Sequence, residues 1–338
     1  MIELEALNYS GGDLSRPECV LTHSSGLLMT ADWTDSGGVA IFRHADRAPA
    51  LRILSNQQGF QLRPNGIALE DDGGVIATHL GEDQGGVFRL HVDGALEPLV
   101  TEIDGVALPP TNFVHRDGAG RLWITVSTRQ QPRAKGYSAA VADGFIALAN
   151  ADGSDARIVA DGLGYTNECA LHPDGRWLYV NETFARRLSR FSVEEKGRLG
   201  ERQTVCEFGP GTFPDGVTFD VEGGAWITSI VSNRVIRVSP TGEQSVVLED
   251  SDKAYLKQVE EAFDAGRMGR PHLDGVVSRR LGHVSSLAFG GSDLDRAYLG
   301  CLLGDRLASF QAPVRGVAPI HWRAPLTRLR SALAGADA

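Results

Sequence analysis

The sequence predicts an all-β fold, a six-bladed β-propeller, and three observations predict it. A strand–turn–strand unit recurs six times along the 338 residues, the 40 glycines are spread through the chain, and apolar residues follow the period of strands almost throughout. Many glycines mean many tight turns, and many tight turns mean many short strands.

The repeating unit is clearest at residues 64–80, PNGIALEDDGGVIATHL. Related segments are PECVLTHSSGLLMTADW from Pro17, TNFVHRDGAGRLWITV from Thr111, TNECALHPDGRWLYVNE from Thr166, PDGVTFDVEGGAWITSI from Pro214 and, more weakly, VSSLAFGGSDLDRAYLG from Val284. In each, a polar residue opens a short apolar strand, a turn follows, and a second apolar strand completes a hairpin. The polar anchors are Glu18, Asn65, Asn112, Asn167, Asp215 and Ser285, separated by 47, 47, 55, 48 and 70 residues. A glycine stands eight residues after each of the first five anchors (Gly26, Gly73, Gly120, Gly175, Gly223), and the sixth copy has Asp293 there. A period near 47 suits a blade of four antiparallel strands. In the second blade, residues 66–70 and 75–80 read as the inner hairpin and 86–92 and 95–101 as the outer one around Asp93-Gly94. A β-sandwich also has alternating strands, but six equivalent units suit radial closure better.

Two stretches break the period. Residues 127–142 lengthen the middle loop of the third blade. Residues 250–281 contain an amphipathic helical segment with Tyr255, Leu256, Val259 and Phe263 on one side. Long insertions in a regular repeat gather on the functional face. The reading is one propeller domain over 1–324 with a peripheral tail at 325–338.

Composition bounds the function. Hydrophobic content of 42% and charged content of 22% are those of a globular protein. A net charge of −10 argues against nucleic acid, whose phosphates need a basic surface. Cys19, Cys169, Cys206 and Cys301 form no CxxC pair and read as buried free thiols of a reducing compartment. The start of the chain has no signal-peptide pattern and no stretch is long and apolar enough to span a membrane, so the expected location is cytoplasmic. A monomer or small homo-oligomer acting on a small molecule is expected.

The anchors carry the chemistry. In a propeller, equivalent positions lie on a ring around the axis, so Glu, Asn, Asn, Asn, Asp and Ser converge on the central channel. Asn, Asp and Ser also start strands as ordinary turn residues, but Glu has no such role and is costly to bury alone. Two carboxylates in a narrow channel repel unless a cation lies between them. An all-oxygen set points to a hard divalent ion, calcium first.

These residues resemble the senescence-marker-protein / gluconolactonase / luciferin-regenerating-enzyme family of six-bladed propellers. The resemblance runs over nearly the whole chain and is carried by RPEC at 16–19, TNFVHRDGAGRLWIT at 111–125, GYTNECALHPDGRWLYV at 164–180, FPDGVTFDVEGGAWIT at 213–228 and SSLAFGGSDLDRAYLG at 285–300. It implies one divalent metal, Ca2+ first and Zn2+, Mn2+ or Mg2+ admissible, held by Glu18, Asn167 and Asp215. It implies a metal-dependent lactonase, a carboxylic-ester hydrolase acting on sugar lactones or other cyclic esters. Asp215 would be both ligand and general base, and Asn112 would orient substrate. Many relatives have Glu-Gly-Pro at the first ligand, where this chain has Glu18-Cys19-Val20. Well-studied sugar lactonases of the family carry an Arg two residues before the substrate Asn, where this chain has Pro110.

Further substrate contacts are expected from Asn65 in the ring, from Trp33 and His79 after second strands, and from Arg129 and Tyr137 in the long third-blade loop. No GxSxG nucleophile elbow is present. Other chemistry on the same metal scaffold, organophosphate-ester hydrolysis or a lyase reaction, and a non-catalytic calcium-binding propeller are the alternatives.

Overall fold

A computed structural model of the chain describes residues 1–43 and 46–336. Among these, six four-stranded antiparallel sheets form the six blades of a β-propeller, joined by one short extra hairpin, Glu102–Ile103 with Val106–Ala107. Blades 1 to 5 each run inner to outer in chain order. Blade 1 comprises Val20–Thr22, Leu27–Asp32, Gly38–Arg43 and Leu51–Leu54, and blade 2 comprises Pro64–Leu69, Val75–His79, Val87–Leu90 and Leu96–Val100. Blade 3 comprises Thr111–Arg116, Leu122–Val126, Gly144–Ala149 and Arg157–Leu163. Blade 4 comprises Thr166–Leu171, Trp177–Glu182, Arg187–Ser192 and Gln203–Glu207, and blade 5 comprises Phe213–Phe219, Ala225–Ile230, Arg234–Val238 and Gln244–Glu249.

Blade 6 takes three strands from the C-terminal part, Val284–Gly290, Arg296–Cys301 and Leu307–Gln311, and its outer strand from the beginning, Asn8–Ser10. That pairing, Asn8 opposite Ser309, ties the beginning of the chain to the last blade and closes the ring of blades.

The hairpins fold where the sequence places their turns. The five repeat glycines lie in left-handed backbone, with φ between +70° and +100°, which costs glycine little. The sixth turn departs from the pattern and bends instead at Gly291 and Leu294, with φ of +81° and +58°. In blades 3 and 5 a turn aspartate holds the hairpin from within: Asp117 and Asp220 accept from the indole N–H of Trp123 and Trp226 at 3.0 and 2.8 Å. Both indoles are fully buried. Their burial between blades stabilises the stack by about 2–3 kcal/mol each on area grounds.

Helix α1, Lys253–Asp264, starts on an Asp252 cap whose carboxylate accepts from the Tyr255 N–H at 2.7 Å. It buries Val259 and packs Tyr255, Leu256 and Phe263 on the same side, as the sequence pattern predicts. A second, short helix, α2, follows at Arg270–Asp274. The C-terminal tail docks more firmly than a peripheral segment. Helix α3, Thr327–Ala336, buries Leu329 and Leu333 in the core of blades 1 and 2, and the Arg328 and Leu329 amides donate to the Asp72 carbonyl. Residues 337–338 of that tail lie outside the described residues.

Candidate functional site: the anchor ring

The anchors sit where the inner strands are broken. In blades 2 to 6 the pairing between first and second strands shifts register across the anchor: between Pro64 and Ile67, Thr111 and Phe113, Thr166 and Cys169, Pro214 and Val217, and Val284 and Leu287. In blade 1 the ladder begins only after Glu18, at Val20. A bulge frees a residue from the pleat and re-aims its side chain, here toward the axis.

Such a bulge leaves backbone groups without ladder partners, and these need replacements when buried. One position of the second strand provides them. Thr30 donates to the Cys19 carbonyl, Thr78 accepts from Gly66 N–H, Thr228 accepts from Gly216 N–H, and Asn181 donates to the Asp215 and Gly216 carbonyls at 3.0 and 2.9 Å. Thr78 and Thr228 also reach across to the next blade, to the carbonyls of Asn112 and Ser285. In blade 6 the equivalent position is Gly300, where a Cβ would lie 2.1 Å from the Glu18 carbonyl oxygen. Blade 6 therefore presses directly on the backbone of Glu18, and Ser285 and Ser286 hydroxyls donate to that same carbonyl at 2.8 and 2.6 Å.

The anchor side chains are buried and joined in an arc. Asn65 Nδ2 donates to Glu18 Oε1 at 2.6 Å and to Asn112 Oδ1 at 3.1 Å. Asn112 Nδ2 donates to Asn167 Oδ1 at 2.5 Å, Asn167 Nδ2 donates to Thr183 Oγ1 at 3.0 Å, and Thr183 donates to the Pro214 carbonyl at 2.8 Å. One hydrogen-bonded chain thus crosses blades 1 to 5 and ends beside Asp215.

The donor set fits a cation. Glu18 Oε2 is buried and closes no hydrogen bond, although the Arg16 guanidinium lies 3.0 Å away. Asn65 Oδ1 is likewise buried without a donor. Burial and then the charge of Glu18 push the Asp215 carboxyl well above the usual carboxylate range, against the opposing charges of Arg16 and Arg133. Among the described residues no three His, Cys, Asp or Glu side chains converge as a metal-binding group, so a complete set here needs amide oxygens as well as the two carboxylates.

Of five neighbours of the ring, the sequence marks only His283, just before the sixth anchor, as able to reach the mouth, with a core or rim place equally expected. Arg16, Tyr165 and His283, each two residues before an anchor, lie in left-handed backbone with φ of +51°, +66° and +68°. Arg133 opens the short 3-10 turn Arg133–Gly136 within the third-blade loop. Glu168, directly after Asn167, is also buried; burial and the charge of Asp215 push its carboxyl well up, and it accepts from the Val217 N–H at 3.1 Å. Glu168 was detectable as the one acid that directly follows an anchor.

The remaining expected contacts divide. Trp33 donates to the Pro64 carbonyl at 2.7 Å and lies under the Arg16 guanidinium, 4.8 Å from its centroid. Tyr137 is buried against Tyr165 and Phe184, with ring centroids 5.5 and 4.9 Å away. His79 accepts from the Arg63 amide at 3.1 Å and packs on Phe60, and burial pushes its pKa down to about 4. Arg129 forms a two-pronged pair with Asp161 at 2.8 and 2.9 Å and covers Phe145. Both of these side chains are committed to structural partners.

Both insertions lie at the end of the channel where the inner strands begin. Tyr137 of the loop, Val259 of α1 and Leu273 of α2 share one apolar cluster with Tyr165, Phe184 and Phe213. Arg186 clamps α1 through Glu260 at 2.8 and 3.0 Å. The channel continues beyond the ring as a cavity of about 450 Å³, lined by residues that follow the anchors (Cys19, Ile67, Glu168, Val217, Ser286) and closed by Val317–His321. That cavity is mainly apolar, lies away from the insertions, and is not where the polar anchors gather.

Comparison with known proteins gives consistent matches. The SMP-30/Gluconolactonase/LRE-like region matches residues 17–249. A 6-deoxy-6-sulfogluconolactonase of Pseudomonas putida is 31% identical over 180 residues, 52% of this chain and 57% of that enzyme, so the match spans little more than half of that relative. A pentonolactonase of Haloferax volcanii is 29% identical over 246 residues, 71% of this chain and 67% of the enzyme. The crystal structure of a calcium-binding protein, regucalcin, from Agrobacterium tumefaciens superposes with a TM-score of 0.61 over 93% of this chain and 95% of that one, at 16% identity, a likeness of fold.

Proposed function

We propose, for a chain that belongs to the SMP-30/gluconolactonase/LRE-like family, the hydrolytic opening of a sugar lactone at the anchor ring, with one divalent metal held by Glu18, Asn167 and Asp215. The observation that carries this reading is the buried arc that starts on the Glu18 carboxylate, runs through three amides and ends on the Pro214 carbonyl beside the buried Asp215. The names of the two lactonase relatives support the reaction class. Oxygen donors alone, in loose geometry, favour calcium.

When bound, the ion supplies Lewis-acid polarisation of the lactone carbonyl. The chain's own residues do the rest. Asp215 takes a proton from the attacking water as its oxygen bonds to the carbonyl carbon. The ring C–O bond then breaks as Asp215 passes that proton to the leaving ring oxygen, which gives the hydroxyl of a hydroxy acid and restores the carboxylate. Asn112, held by Asn65 and itself holding Asn167, orients the lactone. Asn65 fixes the carboxylate of Glu18 in place. Tyr137 of the third-blade insertion walls the mouth together with Tyr165, which precedes the inner strand of blade 4, and limits entry of water.

A panel of five- and six-membered aldonolactones, run with EDTA-stripped protein and add-back of Ca2+, Mg2+, Mn2+ or Zn2+, tests the proposal. Turnover that disappears on stripping and returns with metal is expected. An ion that binds while no lactone turns over would instead favour a non-catalytic propeller.

A further inference from the structure

Most arginines near the ring are paired with a carboxylate outside it. Arg129 is paired with Asp161, Arg186 with Glu260, and Arg270 with Asp274. Arg16 and Arg133 are different. Arg16 has a side chain only 11% exposed, its Nε is buried with no partner, and its one carboxylate neighbour is Glu18. Arg133 donates to the Ser127 hydroxyl at 3.1 Å, and its Nε is also buried and unpartnered. Each guanidinium rests on an aromatic face, Arg16 on Trp33 at 4.8 Å and Arg133 on Tyr165 at 5.6 Å, which fixes its plane without neutralising it. Arg16 lies against the Glu18 carboxylate and Arg133 on Tyr165, two residues before Asn167, so both belong to the mouth of the ring. Beside Arg16 lies His283, 1% exposed, with neither ring nitrogen in a well-formed hydrogen bond.

Charge balance then decides what the mouth accepts. A divalent ion between Glu18 and Asp215 neutralises both carboxylates. Arg16 thereby loses its counter-charge, and two half-buried guanidinium groups, each with a buried and unpartnered Nε, remain without a balancing carboxylate. Unpaired buried charges are costly and call for an anion. We propose that Arg16 and Arg133, with His283 as a neutral donor alongside, form an oxyanion-binding subsite, and that the preferred lactone carries a sulfonate, phosphate or carboxylate group. This rests on the lactone reading of the ring. It also gives a role to guanidinium groups in a mouth that has Pro110, not an arginine, two residues before Asn112. The planar fork of arginine suits such oxyanions, and each charge-assisted contact is strong enough to set selectivity.

The test compares hexonolactones that differ only at C6, bearing hydroxyl, sulfonate, phosphate or carboxylate, on the calcium-loaded full chain. One of the anionic lactones should exceed the hydroxyl lactone in kcat/KM by on the order of 100-fold. That ratio should collapse toward one in Arg133→Gln and in Arg16→Gln, and Arg133→Lys should retain part of it. Which anion leads identifies the group. Calorimetry with the open-chain hexonate sulfonated at C6 gives a readout independent of turnover: wild type should bind it more tightly than the unsubstituted hexonate, and Arg133→Gln should lose the difference. If Arg133→Gln does not fold, Arg133→Lys and the pair of wild-type affinities carry the same comparison. Equal rates and equal affinities for charged and uncharged compounds would overturn the subsite. No turnover of any lactone, with charge-selective hexonate binding retained, would sink the lactone reading and support the subsite.

Discussion

Asn65 gives its amide hydrogens to Glu18 and to Asn112 and so sits between the two halves of the arc. Its role is to hold neighbours, which makes a simple prediction. Asn65→Ala should weaken calcium binding by about 10- to 100-fold, because an outer-shell partner of a ligand carboxylate is lost; a calcium titration of the variant checks it. Asp215→Asn should abolish lactone turnover, and wild-type-like rates in that variant would contradict the base assignment. The anchors were legible in the sequence because each recurs at a fixed place in a repeat, so a single alignment of the chain with itself exposes them. Arg16 and Arg133 were not, and His283 was visible only as a histidine just before the sixth anchor, equally suited to the core or rim. They recur in no other blade, and their approach to the ring depends on left-handed backbone at Arg16 and His283 and on the path of an irregular loop. Arg129 was the more visible arginine of that loop, yet Asp161 holds it away from this work.

The element that makes the site is the broken inner strand. Its bulges turn the anchors toward the axis, and the Thr/Asn position of the second strand stitches the freed backbone. Thr228→Val should therefore cost about 1–3 kcal/mol in denaturant unfolding, since it removes the acceptor for Gly216 N–H and the donor to the Ser285 carbonyl. Gly300→Ala should destabilise by a similar ~1–3 kcal/mol and also weaken metal binding, because its Cβ meets the Glu18 carbonyl. The strands themselves were readable to within a few residues; blade 2 spans Pro64–Leu69, Val75–His79, Val87–Leu90 and Leu96–Val100, as its alternation and Asp-Gly turn predict. The stitching position was readable in principle, as the threonine that recurs in MTAD, IATH and WITS, although Thr125 of WITV holds the same place with its hydroxyl buried and unpartnered. It has no signature of its own without the bulge that explains it.

At the scale of the molecule, closure is the feature the sequence hides. Asn8–Ser10 is three residues long and has no pattern that marks it as the outer strand of the last blade. The helical insertion was visible, but its place over blades 4 and 5 follows only from the radial order. The far end of the channel adds a dependence on pH. Burial pushes His321 and His115 down to about 4, and His23, beside His321, is lowered as well. Unfolded histidine titrates near 6.5, so below that pH the unfolded chain takes up protons that the folded one refuses. Stability is full above about pH 6.5 and falls as pH drops toward 4. The melting temperature should decline between pH 7 and pH 5, and His321→Phe should flatten that decline; an unchanged slope in the variant would contradict this origin. The central claim concerns the ring, and calorimetric titration of EDTA-stripped protein with Ca2+ tests it most directly. The account predicts one ion per chain in the wild type and loss of that ion in Glu18→Gln and Asp215→Asn. No binding by the wild type, or undiminished binding by both variants, would contradict it.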